Sequence, residues 1–247
     1  AIFALKSVDT QPALQRIAAY TADLPPFLCL QNGVENEAAL EAVLGEGQVI
    51  AGTVTSAVGR GAAGDIVLER KRGLGVAAGH PLSEAACAAL QGAGLNAELF
   101  ENAAAMKWSK MLTNLIANAS SAILNMTPAE VFAHPGLYRR LELAQQREAL
   151  RVMRRLGIPV VDLPETPVTL LSAAVQYLPA MLSQPLLRRS GTGGRGGKMP
   201  SFHIDLHSGR GQSEVDYLNG AVVRLGEQVQ VPTPVNRLLR DTLLKLT

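Results

Sequence analysis

A change of hydrophobic pattern near Phe100 most constrains what this chain of 247 residues can fold into. Before it, short apolar runs typical of fully buried parallel strands alternate with segments of helical period. The strand runs are 1–5, 26–30, 49–56, 66–68 and 97–100, and the helical segments are 11–20, 35–44 and 82–91. We also expect residues 73–77 to pair with 66–68. Such alternation with short links predicts a doubly wound α/β sheet.

After Phe100 almost every segment has helical period, interrupted by prolines and by a glycine-rich stretch at 190–199 that predicts a loop. Alanine and leucine supply most of the apolar content, which favours helix. We therefore predict a partial α/β Rossmann-type domain over residues 1–101, followed by an all-α C-terminal domain over residues 102–247.

One motif is missing from the predicted α/β half. A dinucleotide-binding domain normally begins with a strand and a G-x-G-x-x-G turn, which seats a pyrophosphate on a helix N-terminus. No such turn follows a strand here, because the glycines at 191–196 lie in the helical half. We expect that a first βαβ portion, on the order of 60 residues, is absent from this chain. The chain alone is then predicted to bind a dinucleotide weakly, since it lacks that backbone nest.

Charge and composition argue against several classes of protein. The 23 basic and 21 acidic residues give a net charge of +2, which does not indicate nucleic-acid binding. An uncharged window at 168–187 is long enough for a membrane span, but its prolines and polar residues favour a pair of buried helices. Cys29 and Cys87 are expected to be buried thiols in a reducing compartment. No signal peptide is visible, and we expect a cytoplasmic protein.

Residues 103–124 are the most informative segment. If they form one helix, Lys110, Asn114 and Asn118 share one stripe, because residues four apart drift by only about 40°. Asparagine is a poor residue for a helix interior, so two of them in file suggest a stripe that faces a polar pocket. The alternative is a face hydrogen-bonded to neighbouring helices, and the spacing leaves both interpretations open.

A second polar segment covers residues 200–220. Ser213 and the acidic residues after it are suited to cap and begin a helix, which would make Glu214 structural. His203 and His207 are four residues apart, yet no H-E-x-x-H pattern and no cysteine partner accompanies them. We therefore expect no metal site.

The order and spacing of these motifs resemble the ketopantoate reductase (2-dehydropantoate 2-reductase) family over nearly the whole chain. The matching elements are Phe3-Ala-Leu-Lys6-Ser, Leu30-Gln-Asn32-Gly33, Gly52-Thr53 with Ala57, Lys107-Trp-Ser-Lys110-Met-Leu-Thr-Asn114-Leu-Ile-Ala-Asn118, Glu148 nine residues before Gly157, Pro200-Ser201 with Asp205, and Ser213-Glu214-Val-Asp-Tyr-Leu-Asn-Gly220. The Lys-x-x-x-Asn-x-x-x-Asn stripe with its downstream glutamate and Asn-Gly pair is the specific part of the resemblance.

The resemblance implies an NADP-dependent oxidoreductase that reduces a 2-oxo acid, namely 2-dehydropantoate to pantoate in pantothenate biosynthesis. It implies catalytic roles for Lys110, as general acid, and Glu214. The implied substrate-binding residues are Asn32, Asn114, Asn118 and Ser201, and the implied NADPH-binding residues are Lys6, Asn32, Ala57 and Glu214. The expected partner is a small 2-oxo acid rather than nucleic acid or membrane, and a homodimer is left open.

The residue types suit this chemistry. Hydride that arrives at a carbonyl carbon builds negative charge on the oxygen, which an ammonium group stabilises while it supplies a proton. The alternative is a non-catalytic remnant, a dimerising or small-acid-binding module that lost its cofactor half. The polar residues of the resemblance favour the enzyme, whereas the missing glycine turn favours the remnant.

Overall fold

The computed structural model describes residues 1–62, 64–192, 199–207 and 211–247. They form two compact units. The first consists of Ala1–Lys110 with Val161–Thr166, and the second of Met111–Val160 with Pro167–Thr247. The first unit contains the strands, and the described residues of the second unit form helices and their connections.

The first unit alternates strands and helices. In chain order its elements are β1 (Ile2–Phe3), α1 (Thr10–Ile17), β2 (Phe27–Cys29), α2 (Asn36–Leu44), β3 (Val49–Val54), β4 (Ala57–Ala62), β5 (Asp65–Arg70), β6 (Leu74–Ala77), α3 (Ser83–Gly92) and β7 (Ala97–Phe100). Short 3₁₀ segments at Ser7–Asp9 and Ala18–Asp23 flank α1.

Within the described residues, five strands form one sheet in the order β1-β2-β3-β6-β7. β1, β2 and β3 run parallel, β6 is antiparallel to β3, and β7 is parallel to β6. This parallel-dominated sheet confirms the predicted α/β class. β4 and β5 form a separate antiparallel pair, so the expected pairing of residues 73–77 with 66–68 is wrong. The reason is burial: every residue of β6 is buried, whereas β5 is exposed along its length.

Apolar clusters on both faces of the sheet explain its nearly continuous apolar strands. Successive strand residues point to opposite faces, so Phe27 and Cys29 enter one cluster and Leu28 the other. Phe3 of β1, Leu14 of α1 and Leu40 of α2 complete the first cluster. The second cluster contains Leu28, Ile50, Val76, Ala97 and, from α3, Cys87. Helices therefore cover both faces, as a largely parallel sheet requires.

The remaining helices follow the sheet in the chain. They are α4 (Ala103–Leu115), α5 (Asn118–Leu124), α6 (Pro128–Ala133), α7 (Pro135–Leu137), α8 (Leu143–Arg155), α9 (Val168–Tyr177), α10 (Ala180–Thr192), α11 (Ser201–His207), α12 (Val215–Gln228) and α13 (Pro234–Leu244). A π-helical turn at Tyr138–Glu142 leads directly into α8. The C-terminal half is thus helical, as predicted.

The predicted single helix over residues 103–124 is wrong, because the chain breaks between α4 and α5. Ala117 has a φ of 51°, in the left-handed region that a right-handed helix does not contain. Asn118 therefore begins a new helix and does not continue the stripe of Lys110 and Asn114.

The uncharged window at 168–187 forms the predicted helix pair, α9 and α10, which are separated at Pro179. Its burial is only partial: Val175 is buried, while Tyr177 is 79% and Met181 85% exposed. No helix in the described ranges is long and apolar enough to span a membrane.

The glycine-rich stretch predicted as a loop, 190–199, is described only in part. α10 continues to Thr192, so the first three residues of the stretch are helical. Residues 193–198 lie outside the described residues.

Candidate functional site

The first candidate surface lies at the carboxyl ends of the parallel strands, the edge where open α/β sheets bind ligands. Lys6 follows β1, and Asn32 follows β2. Gly33 has a φ of 96°, which lets the chain turn sharply before α2. The Asn32 side chain is exposed and Lys6 is partly buried.

Buried polar side chains fix the backbone around Asn32. Asn36 Nδ2 donates to the Asn32 carbonyl oxygen at 2.6 Å, and Ser7 Oγ donates to the same oxygen at 3.2 Å. Gln31 Nε2 donates to the carbonyl of Leu5 at 2.9 Å. The segments after β1 and β2 are thereby tied together, and the exposed Asn32 side chain projects from a held backbone.

Lys107 is a buried cation whose contacts the sequence analysis missed. It is 4% exposed, and its Nζ donates to the carbonyls of Gln31 at 2.6 Å and Gly52 at 3.2 Å. The same Nζ lies 2.6 Å from Oε1 of Glu37. Because a buried charge needs a counter-charge and hydrogen bonds, this set ties the ends of β2 and β3 to α2. The signal in the sequence is a lysine flanked by two apolar residues inside a helical segment.

The Cys29 thiol lies beside this cluster. Its Sγ is 3.8 Å from Oε1 of Gln31. Burial, and after it the negative charge of Glu37, raises the pKa of Cys29 to about 12, although Lys107 opposes the increase. The thiolate is the reactive form, so Cys29 is inert at neutral pH. Cys29 and Cys87 are both free and buried, which confirms the prediction of buried thiols.

Ala57 begins β4 at the base of the antiparallel pair. Just before it, Thr55 Oγ1 donates to the carbonyl of Gly73 at 3.0 Å, and Ser56 Oγ accepts from the Arg72 backbone N–H at 3.0 Å. These bonds join the two ends of the β4–β5 segment, so Ala57 is held at a defined position in the first unit.

Lys110 and Asn114 lie one turn apart on α4. The helix is continuous from Ala103 to Leu115, so the two side chains share one side of it. Both are partly buried. This part of the predicted polar stripe is present in the structure.

The second candidate surface joins the start of α5 to the start of α11. Asn118 Nδ2 donates to Ser201 Oγ at 3.3 Å, and Asn118 Oδ1 accepts from the Phe202 backbone N–H at 3.1 Å. Asn118 is buried, whereas Ser201 is exposed. Two residues that lie 83 positions apart and that the resemblance assigns to substrate binding are therefore in contact.

The histidines after Ser201 contact other protein groups. His203 Nε2 lies 2.8 Å from Oδ1 of Asn125, and the rings of His203 and His207 are 4.1 Å apart. Burial, and after it the neighbouring His207, lowers the pKa of His203. Within the described ranges, no three histidine, cysteine or acidic side chains are grouped to hold a metal ion.

Glu214 is buried immediately before α12. Ser213 Oγ accepts from the Val215 backbone N–H at 3.2 Å, but the N-cap residue of α12 is Glu214. The Glu214 side chain makes no capping hydrogen bond. Capping therefore does not account for Glu214.

The Asn-Gly pair on α12 has structural contacts. A Cβ at Gly220 would lie 2.4 Å from Oδ1 of Asp216, whose Oδ2 accepts from Arg224 Nη1 at 3.0 Å. Glycine thus leaves room for this ion pair along one side of the helix. Asn219 is buried, and its Nδ2 donates to Gln145 Oε1 at 3.2 Å.

Glu148 holds the start of α13. Its carboxylate accepts from the backbone N–H groups of Val235 and Asn236, each at 2.9 Å, and from Asn236 Nδ2 at 2.8 Å. A negative charge at a helix N-terminus is favourable. Glu148, one of the residues quoted for the resemblance, therefore stabilises the helical unit.

Comparison with known proteins agrees with the resemblance. The sequence model described as ketopantoate reductase PanE/ApbA C terminal matches residues 102–246, and the model described as ketopantoate reductase PanE/ApbA matches residues 1–79. The 2-dehydropantoate 2-reductases of Streptococcus pyogenes serotype M3 and Archaeoglobus fulgidus are 25% and 28% identical over 244 and 239 residues. These matches cover 96% and 95% of this chain and 72% of each relative.

Solved structures share the fold. A PanE/ApbA family ketopantoate reductase from Ralstonia eutropha has 26% identity and a TM-score of 0.82, covering 99% of this chain and 74% of its own. D-mandelate dehydrogenase, solved with NADH and anilino(oxo)acetate, has 21% identity and a TM-score of 0.78, covering 99% and 75%. The dimeric ketopantoate reductase of Staphylococcus aureus has 18% identity and a TM-score of 0.73, covering 99% and 76%. Because the family models match both halves, this chain belongs to the ketopantoate reductase PanE/ApbA family.

Proposed function

We propose that the protein containing this chain is a 2-dehydropantoate 2-reductase that uses NADPH to reduce 2-dehydropantoate to pantoate in pantothenate biosynthesis. The observation that carries the proposal is the contact between Asn118 and Ser201, both assigned to substrate binding by the resemblance. Family membership and the names of the relatives support the same class of reaction.

Lys110 is the proposed general acid. Its ammonium group stabilises the negative charge that develops on the substrate oxygen and transfers a proton from Nζ. Asn114, one turn along α4, donates to the substrate without adding charge. Asn118 and Ser201 anchor the acid, and Glu214 is the second proposed catalytic residue, whose carboxylate accepts from a substrate hydroxyl.

The cofactor, when bound, supplies the hydride. Lys6 is proposed on its adenosine side, and Asn32, Ala57 and Glu214 on its nicotinamide side. The donor set suits this assignment, because the exposed amide of Asn32 offers both a donor and an acceptor from a held backbone. The ammonium of Lys6 suits an anionic ligand at the sheet edge.

The proposed enzyme has two domains, forms a homodimer and is located in the cytoplasm. Residues 1–101 form the dinucleotide-binding domain, and residues 102–247 serve substrate binding and dimerisation. The dimeric relative from Staphylococcus aureus supports a homodimer. A small-molecule pathway of this kind suits a cytoplasmic enzyme.

Substitution of Lys110 tests the proposed chemistry. Lys110→Ala in the protein that contains this chain should lower kcat for NADPH-dependent reduction of 2-dehydropantoate by about 10²–10⁴-fold, the usual contribution of a general acid. Lys245→Ala, at an exposed lysine near the C-terminus, is the matched control and should leave kcat unchanged. An unchanged kcat in Lys110→Ala removes the general-acid role. If the wild-type protein binds the 2-oxo acid but does not reduce it, the result favours a small-acid-binding module.

A further inference from the structure

The position of Asn118 depends on the break between α4 and α5. Ala117 is buried and has a φ of 51°, a conformation that costs a residue other than glycine on the order of 1–2 kcal/mol. Such backbone persists where the surrounding structure fixes it. The contacts around Ala117 therefore determine where α5 begins.

A single buried carboxylate meets this break. Glu142 is fully buried, and its Oε2 accepts from the Ala117 backbone N–H at 2.7 Å. Its Oε1 accepts from Ser120 Oγ at 2.5 Å, and Gln145 Nε2 donates to Oε2 at 3.0 Å. Glu142 thus binds the residue before Asn118 and, through Ser120, the first turn of α5.

The neighbours of Glu142 on α8 bind the other side of the break. Gln145 Nε2 donates to the Leu115 carbonyl at 3.1 Å, and Gln146 Nε2 donates to the Leu112 carbonyl at 2.8 Å. The last carbonyls of a helix lack partners within the helix, and these two amides supply them. One segment therefore holds the end of α4 and the beginning of α5.

Glu142 reaches this position at the end of the π-helical turn, Tyr138–Glu142. Single π turns are frequent at functional sites. Burial raises the pKa of Glu142, while hydrogen bonds from Ser120, Ala117 and Gln145 oppose the increase. A carboxyl group in such surroundings is costly to bury, which calls for a specific role.

We propose that Glu142 is a positioning residue that fixes the break at Ala117 and thereby orients the side-chain amide of Asn118 toward Ser201. The consequence for substrate rests on the proposed function. The orientation of the amide does not, because it can be measured without substrate.

The test compares Glu142→Ala and Glu142→Gln with Tyr138→Phe. Tyr138→Phe is the matched control, because it removes a buried hydrogen bond to Ser183 from the same π turn but none to Ala117. Glu142→Ala should shift the side-chain amide NMR signals of Asn118 and speed hydrogen exchange at the Ala117 amide by about tenfold or more, the loss of one hydrogen bond. Glu142→Gln keeps an acceptor oxygen, so its Asn118 signals and its Ala117 exchange rate should be close to those of the wild type. Tyr138→Phe should lower Tm without changing either readout.

Kinetics in the protein containing this chain supply the second readout. Glu142→Ala should raise KM for the 2-oxo acid by about tenfold, equivalent to one lost hydrogen bond, and leave KM for NADPH within about twofold. If Glu142→Ala does not fold, Glu142→Asp replaces it, because aspartate keeps the charge but withdraws the oxygens by one methylene. Glu142→Asp should change the NMR readouts and the KM for the 2-oxo acid in the direction expected of Glu142→Ala.

Unchanged Asn118 signals in folded Glu142→Ala or Glu142→Asp overturn the proposal, as do equal changes in Tyr138→Phe. If the wild-type protein reduces no 2-oxo acid, the proposed function fails, and the NMR comparison alone then decides the role of Glu142.

Discussion

The two units each bury an ionisable side chain beside residues of the candidate site, but they balance the charge differently. Lys107 in the first unit faces a carboxylate, Glu37, and two carbonyl oxygens. Glu142 in the second unit accepts from neutral donors, namely a backbone N–H, a hydroxyl and an amide. The first arrangement requires both charges, whereas the second also suits an uncharged group. The comparison shows that the burial of an ionisable side chain does not by itself tell whether the charged form is needed for stability.

Removing the Lys107 ammonium should have the largest effect. Lys107→Met leaves the carboxylate of Glu37, whose side chain is 17% exposed, without its cation, which should cost about 3–5 kcal/mol of unfolding free energy. Urea unfolding followed by the fluorescence of Trp108, the single tryptophan, measures the loss. Lys245→Met is the control at an exposed lysine. A loss below about 1 kcal/mol, the range of exposed pairs, would contradict the charge-balanced interpretation.

A double substitution tests whether the two charges depend on each other. Lys107→Met with Glu37→Gln should recover part of the lost stability, because the buried carboxylate is removed together with its cation. We expect a coupling free energy of about 1–3 kcal/mol from the complete double-mutant cycle. Strict additivity of the two single substitutions would show that the pair carries no mutual stabilisation.

Glu142 should respond to pH where an amide does not. Its pKa is raised in the folded state, so its favourable contribution is complete below the unfolded pKa of 4.5 and is lost as pH rises through the raised value. The Tm of Glu142→Gln, relative to wild type, should therefore increase from pH 4 to pH 8. Circular dichroism melts at each unit of pH measure this difference in Tm. A difference that stays constant with pH would mean that Glu142 has the same pKa in the folded and unfolded states.

The smallest effect is expected at Cys29. Glu37→Gln removes the second cause of its raised pKa, so the pKa should fall below about 12 but, because burial remains, stay above the ordinary 9.0. The ¹³Cβ NMR shift of Cys29 between pH 8 and pH 12 follows the titration, with Glu41→Gln as a control on the same helix. An unchanged Cys29 titration would show that Glu37 does not act on the thiol.

Local pattern predicted most of the secondary structure, because buried strands and helix periods are recorded in neighbouring residues. The pairing of β6 was mispredicted, since partner choice depends on burial across the whole sheet. The break at Ala117 has no local signal, because alanine favours helix and the group that holds the break lies 25 residues away. Lys107 belongs to an element quoted for the resemblance, but its burial was not predicted, because lysines are usually exposed.

The site residues also divide into those that local spacing predicts and those that depend on tertiary structure. Lys110 and Asn114 share a side of α4 as their spacing predicts. The contact of Asn118 with Ser201 follows from tertiary structure, and only the resemblance to a family pointed to both residues together. Spacing therefore identifies partners on one helix but not between helices.

The π-helical turn before α8 has a consequence for sequence alignment. Its hydrogen bonds close from i to i+5 instead of i to i+4, so the turn accommodates one extra residue. In a straight α-helix one residue is a rotation of about 100°. Deleting one residue between Tyr138 and Glu142 would therefore turn Tyr138 away from Ser183 while Glu142 kept its place. Homologues that lack the turn should therefore align with a one-residue gap here, and a helical-wheel projection drawn across it would misassign every residue on one side.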